Sequence, residues 1–112
     1  MKLPNADLAE IDLRKLADYC LSSTHPVGKH KATVFRSALG LSGDDVELLR
    51  GWLIEATRTG TAVAQGADEY GEYFRIDFRA VTEAGQAVLR SAWIIRTGEQ
   101  HPRLITCYVL PE

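Results

Sequence analysis

A chain of 112 residues, 46% apolar and 25% charged, has the size and composition of one ordinary globular domain spanning residues 1–112. No run approaches the roughly 20 apolar residues of a membrane helix, and Met1-Lys2-Leu3-Pro4-Asn5 lacks the apolar run and cleavage site of a secretory signal. Membrane partners are therefore set aside and the cytoplasm is the expected compartment, with export at the end of a longer carrier left open. The net charge of −2 supplies no global attraction for a polyanion, so nucleic-acid affinity would have to come from uneven distribution.

Residues 1–11 hold a proline and no clean period, and read as an extended lead-in. Asp12 is placed to cap a first helix in which Leu13, Leu16, Ala17, Cys20 and Leu21 recur at helical spacing. It ends before Ser22-Ser23-Thr24-His25-Pro26, because the residue before proline is disfavoured in the helical region. A second helix is predicted from Gly28 to Leu39, with Lys31, Val34, Phe35 and Ala38 on one face and Gly40 as its stop. The third is the most strongly signalled. Ser42 and Asp45 form a capping-box pattern, Val46, Leu49, Trp52, Leu53 and Ala56 form a buried stripe, and Gly60 closes it. Gly51 in its middle costs about 1 kcal/mol relative to alanine, which predicts close packing there.

From residue 61 the period falls to two. Thr61–Gln65 reads as a short edge strand, Tyr73–Val81 alternates Phe74, Ile76 and Phe78 with Arg75, Asp77 and Arg79, and Ala87–Arg96 and Leu104–Leu110 follow. Glu83-Ala84-Gly85 and the 97–102 segment are turn chemistry. The predicted fold class is α+β, with about three N-terminal helices packed on a three- to four-stranded antiparallel sheet. Cys20 and Cys107 read as small buried hydrophobes, and the spacing of the cysteines and histidines predicts no metal site. No cofactor motif is present.

The charge is unevenly spread: residues 25–36 carry Lys29, Lys31, Arg36, His25 and His30 with no acid. His25, Lys29, His30 and Lys31 together supply proton-transfer groups and cations of the kind that phosphodiester chemistry requires. The plainer reading makes His25 a turn cap and the lysines a solvated helix face. In Arg90-Ser91-Ala92-Trp93 an arginine and a serine interrupt an apolar strand. Arg90 would grip phosphate, Ser91 donate a hydrogen bond and Trp93 stack on a base. Alternatively Trp93 is core and Arg90 pairs with Asp77 or Glu83 across the hairpin. Thr106 and Tyr108 share one face of the last strand, where hydroxyls line a site or decorate a wet surface.

The run His25-Pro26-Val27-Gly28-Lys29-His30-Lys31-Ala32, with Leu3-Pro4-Asn5-Ala6, Arg90-Ser91-Ala92-Trp93-Ile94 and Pro102-Arg103-Leu104, resembles a family of small bacterial proteins known only as a domain of unknown function. More distantly, a histidine in a basic segment, a long helix and a sheet carrying Ser-x-Trp resemble the barnase, EndoU, colicin and RelE group of toxin ribonucleases. Within it the tRNA-cleaving domain of colicin D has the nearest pattern. That resemblance implies metal-independent cleavage, with His30 as general base or acid, Lys29 and Lys31 offsetting phosphorane charge, and Ser91 with Trp93 holding the nucleotide. Arg90 adds a phosphate contact, and His25 and Thr106 further substrate contacts. The implied partners are RNA, in particular tRNA, and a cognate immunity or antitoxin protein. Two other readings stand beside the enzyme: a non-catalytic module binding protein or nucleic acid in a toxin, antitoxin or phage-associated system, and a purely structural domain. The enzyme requires His30 to share one cleft with Ser91 or Arg90.

Overall fold

The computed structural model describes residues 1–22 and 29–111, and of Tyr19 and Lys29 the backbone alone. Asp12 caps the first helix as its side chain accepts from the Arg14 N–H at 3.0 Å. This helix, α1 (Leu13–Lys15), runs into a π-helical segment, Leu16–Cys20. Its buried face is Leu16, Cys20 and Leu21, whereas Leu13 is 39% exposed. The lead-in is less extended than its proline implied. Ala6–Leu8 forms a short 3-10 turn, and Glu10 then makes a parallel bridge to Arg103.

Helix α2 spans Lys29–Leu39 and buries Ala32, Phe35 and Leu39, with Ala38 partly covered. Val34, expected on the same stripe, is 43% exposed, because the buried face is centred one position further along. Gly40 ends the helix in the left-handed region, φ +69°, and its N–H bonds the Arg36 carbonyl at 2.9 Å. The Ser42–Asp45 capping box forms in full and opens α3, Val46–Thr59. Leu49, Leu53, Ala56 and Thr57 are its buried residues, with Val46 and Trp52 half-covered against the core. The predicted close packing at Gly51 is absent: the residue is exposed, and a Cβ there would meet no atom within 4 Å.

The sheet is a four-stranded antiparallel meander, β1 (Ala62–Asp68), β2 (Gly71–Thr82), β3 (Gly85–Arg96) and β4 (Arg103–Val109), in that order. The α+β arrangement is thus as predicted, with helices mostly ahead of the sheet. A two-residue turn, Glu83-Ala84, joins the paired Thr82 and Gly85. Gly71 faces Arg96 at the far end of that hairpin, where a Cβ would stand 2.3 Å from the Ile95 carbonyl oxygen. Among the described residues, α2, α3 and the Leu16–Cys20 segment pack on one side. On it Phe74, Ile76, Ala80, Leu89, Ser91, Trp93, Leu104 and Cys107 are buried against Leu16, Phe35, Leu39, Leu49 and Leu53. The alternate residues, Arg75, Asp77, Arg79, Arg90, Ala92, Thr106 and Tyr108, face away from the helices.

One irregularity in β4 positions the site. Ala92 pairs with Thr106 but Trp93 pairs with Leu104, so Ile105 is an extra residue and the strand bulges. Leu104 and Cys107, three apart, therefore both point into the core, and Thr106 is turned outward beside Tyr108.

Candidate functional site

Ser91 and Trp93 are the first of the predicted site residues that the structure reassigns. Both are fully buried: Ser91 Oγ donates to the Ile76 carbonyl at 2.8 Å and accepts from Trp93 Nε1 at 2.9 Å. The serine that interrupts the apolar strand thus satisfies the indole N–H in the core. Neither side chain is open to a nucleotide, and the expectation that they hold substrate is corrected.

Arg90 lies on the opposite face. Its Nε and an Nη each reach one oxygen of Asp77 at 2.9 Å, a bidentate pair between directly opposed residues of β2 and β3. Arg75 approaches the same carboxylate at 3.9 Å. The hydrogen bonds from Arg90 hold the Asp77 carboxyl below its usual range against the opposing effect of burial. The same bond to Asp77 keeps the guanidinium protonated. Arg90 also sits opposite Tyr108 of β4 and is 31% exposed in its side chain, so its outer edge faces solvent while its inner edge is locked.

The basic segment is divided by the turn of the helix. His30 is exposed and stands about 200° before the buried Ala32 at 100° per residue, on the face of α2 directed away from the sheet. Arg90 lies beyond the sheet and Ser91 is enclosed beneath the helices, so the structure does not bring His30 together with either. Lys31, one step on, points the other way. It reaches over the β4 edge, with Nζ 3.3 Å from Thr106 Oγ1 and 5.0 Å from the Tyr108 ring centroid, a cation–π contact. A residue from the helical layer thereby joins the outer sheet face. His25 falls outside the described residues, as does the Lys29 side chain.

The outer face that results carries Arg75, Arg79 and Arg90, Lys31 at its edge, Tyr73, Tyr108 and Thr106, with two carboxylates among them, Asp77 held by Arg90 and Asp68 at the β1–β2 end bonded by the Tyr73 hydroxyl. A cavity of about 330 Å³ lies over it between Gln65, Tyr73, Arg75, Arg90, Ile105 and Tyr108. It runs into a larger one of about 780 Å³ that shares Tyr73 and Ile105 and extends to Tyr70, Arg96, Lys15 and Arg103. Arg103 is bidentate to Glu99, at 3.0 and 2.7 Å, and also bonds Glu10. Arg75 and Arg79 were legible as outward residues of an alternating strand. The signal for Lys31 is its place on one face of α2 with Phe35 and Ala38, which turns it toward the sheet.

The two cysteines, distant in sequence, meet in the core. Both are free and fully buried. Cys107 gives a hydrogen bond to the Cys20 sulfur, and that contact together with burial pushes the Cys107 thiol well up. Lys31 lies close enough to bear electrostatically on both.

Residues 2–111 match the model of a family described as "Domain of unknown function (DUF6883)", and the chain belongs to that family. None of the curated proteins compared with it matches. The fold is similar to a chain of a contact-dependent growth inhibition toxin–immunity protein complex from Klebsiella pneumoniae 342. The TM-score is 0.67 at 19% identity, over 89% of this chain and 98% of that one.

Proposed function

Taking membership of DUF6883 as the premise, we propose that this domain is a toxin-type, ribonuclease-like module that engages RNA on its open sheet face. The observation that carries the reading is the convergence of Lys31 with Arg90, Arg75, Thr106 and Tyr108 on a surface the helices leave uncovered. Arginine forks and a lysine suit phosphate oxygens, and tyrosine faces suit bases. The fold likeness to a chain of a toxin–immunity complex favours a toxin system and, with it, a cognate immunity protein as partner.

The chemistry proposed for this face is metal-independent attack of a ribose 2′-hydroxyl on its own phosphate: the O2′–P bond forms as the P–O5′ bond breaks, water takes the hydroxyl proton and gives one to the departing 5′-oxygen, and a cyclic phosphate is left. Lys31 and Arg75, with the outer edge of Arg90, would offset the charge that grows on the phosphorane. His30 is given no part, because it lies on the far side of α2. Asp77, gripped by Arg90 and flanked by Arg75, is a positioning group for those guanidiniums rather than a base.

The test is incubation of the protein with tRNA and with total RNA in EDTA, followed by mapping of the ends. Cleavage with 2′,3′-cyclic ends that Arg75→Ala and Lys31→Ala reduce at least tenfold supports the enzyme. Binding without cleavage, weakened by the same substitutions, would instead establish the non-catalytic nucleic-acid module. RNA neither bound nor cut would overturn both.

A further inference from the structure

The larger groove beside this face is built differently from the arginine cluster. Tyr70, at the β1–β2 turn, is 66% exposed, an aromatic ring that the fold leaves unburied. Next to it Tyr73 is fixed by its hydroxyl donating to Asp68 Oδ2 at 2.9 Å, and the same carboxylate accepts from the Tyr70 N–H at 2.8 Å. Ile94 and the bulged Ile105 supply the apolar floor, 780 Å³ of space being enough for a nucleotide.

The acids around it are engaged: Asp12 by Arg14 at 3.2 Å, Glu10 and Glu99 by Arg103, and Asp68 by the Tyr73 hydroxyl and the Tyr70 N–H. Lys15, whose Nζ rests 3.3 Å from the Ile105 carbonyl, and the exposed Arg96 face the same space. Aromatic and aliphatic walls between two cations match an anionic ligand with a flat apolar part. Such a ligand is a nucleotide with its base unpaired, since a base held in a duplex cannot offer its face to Tyr70.

We infer that this groove is a subsite for one unpaired nucleotide, its base stacked on Tyr70 and its flanking phosphate met by Arg96 and Lys15, adjoining the phosphate held by Arg90 and Lys31. The inference rests on the RNA reading above and specifies its substrate as single-stranded. The shared walls, Tyr73 and Ile105, make the two positions consecutive along one strand.

Fluorescence anisotropy with a labelled oligouridylate of about twelve nucleotides, and with its duplex with oligoadenylate, tests this. Tyr70→Ala should weaken single-strand binding about fivefold or more while Tyr70→Phe leaves it unchanged. Arg96→Ala should lower the salt slope by about 0.7, one phosphate contact of a single strand. Neither should alter duplex affinity. Both side chains are exposed, so unchanged melting temperatures verify folding. If the unaltered protein binds the oligonucleotide but Tyr70→Ala and Arg96→Ala bind equally well, the subsite is overturned and the RNA reading survives. If the unaltered protein binds neither RNA, both fall. If sedimentation reveals a dimer that Tyr70→Ala dissociates, a second copy of the chain is the occupant and the inference is overturned.

Discussion

Arg90 and Ser91 are consecutive residues of β3, and the sheet sends them to opposite environments. On the helix side, Ser91 and Trp93 close a hydrogen-bonded pair with no exposed surface. On the open side, Arg90, Asp77 and Arg75 make a partly exposed network joined at its edge by Lys31 and Tyr108. The difference teaches that one polar motif within an apolar strand divides by parity: half of it satisfies the core and half is available to a ligand. A mutation one position apart therefore probes stability or recognition.

Trp93→Ala should cost about 3–5 kcal/mol, the expected range for emptying a buried indole. Ser91→Ala should cost about 1–3 kcal/mol, because it removes the acceptor of a buried N–H. Urea unfolding followed by circular dichroism measures both. An Arg90→Ala loss as large as that of Trp93→Ala would erase the contrast between the two faces.

Gly51→Ala sharpens it from outside the site. An exposed mid-helix position with open space for a methyl group should gain about 1 kcal/mol in the same unfolding assay. A loss there would mean that the glycine has a contact the fold does not reveal.

The smallest effect concerns pH. Asp77 has its folded-state carboxyl held below the ordinary 3.8 by hydrogen bonds from Arg90. Its contribution is complete above the unfolded value and is lost as pH falls from about 4 through the lower folded value. For a pair this exposed the contribution is about 1 kcal/mol or less. Unfolding midpoints of Asp77→Asn should accordingly fall less steeply below about pH 4 than those of the unaltered protein.

Much of the fold was legible because its signals are local. Asp12, the Ser42–Asp45 box and Gly40 each act within one helical turn, and the Phe74, Ile76, Phe78 alternation fixes a strand by period alone. The site was less so. Thr106 and Tyr108 share a face by alternation, but the β4 bulge at Ile105 decides that Leu104 points into the core, and no turn residue or glycine marks it. Whether His30 or Lys31 reaches the sheet depends on the rotation of α2: the stripe of Lys31, Val34, Phe35 and Ala38 turns Lys31 toward the sheet but also includes Val34, which the fold leaves 43% exposed. The Arg90 pairing with Asp77 was one of two open alternatives until register made them opposite.

The direct test of a site on the open face, rather than around His30, uses these two neighbours in α2. RNA binding, and cleavage in EDTA, by His30→Ala and Lys31→Ala should diverge: His30→Ala should equal the unaltered protein, and Lys31→Ala should lose about tenfold or more in affinity or rate, roughly the value of one charged hydrogen bond. Loss of function in His30→Ala with Lys31→Ala unaffected would return the site to the outer face of α2 and contradict the account.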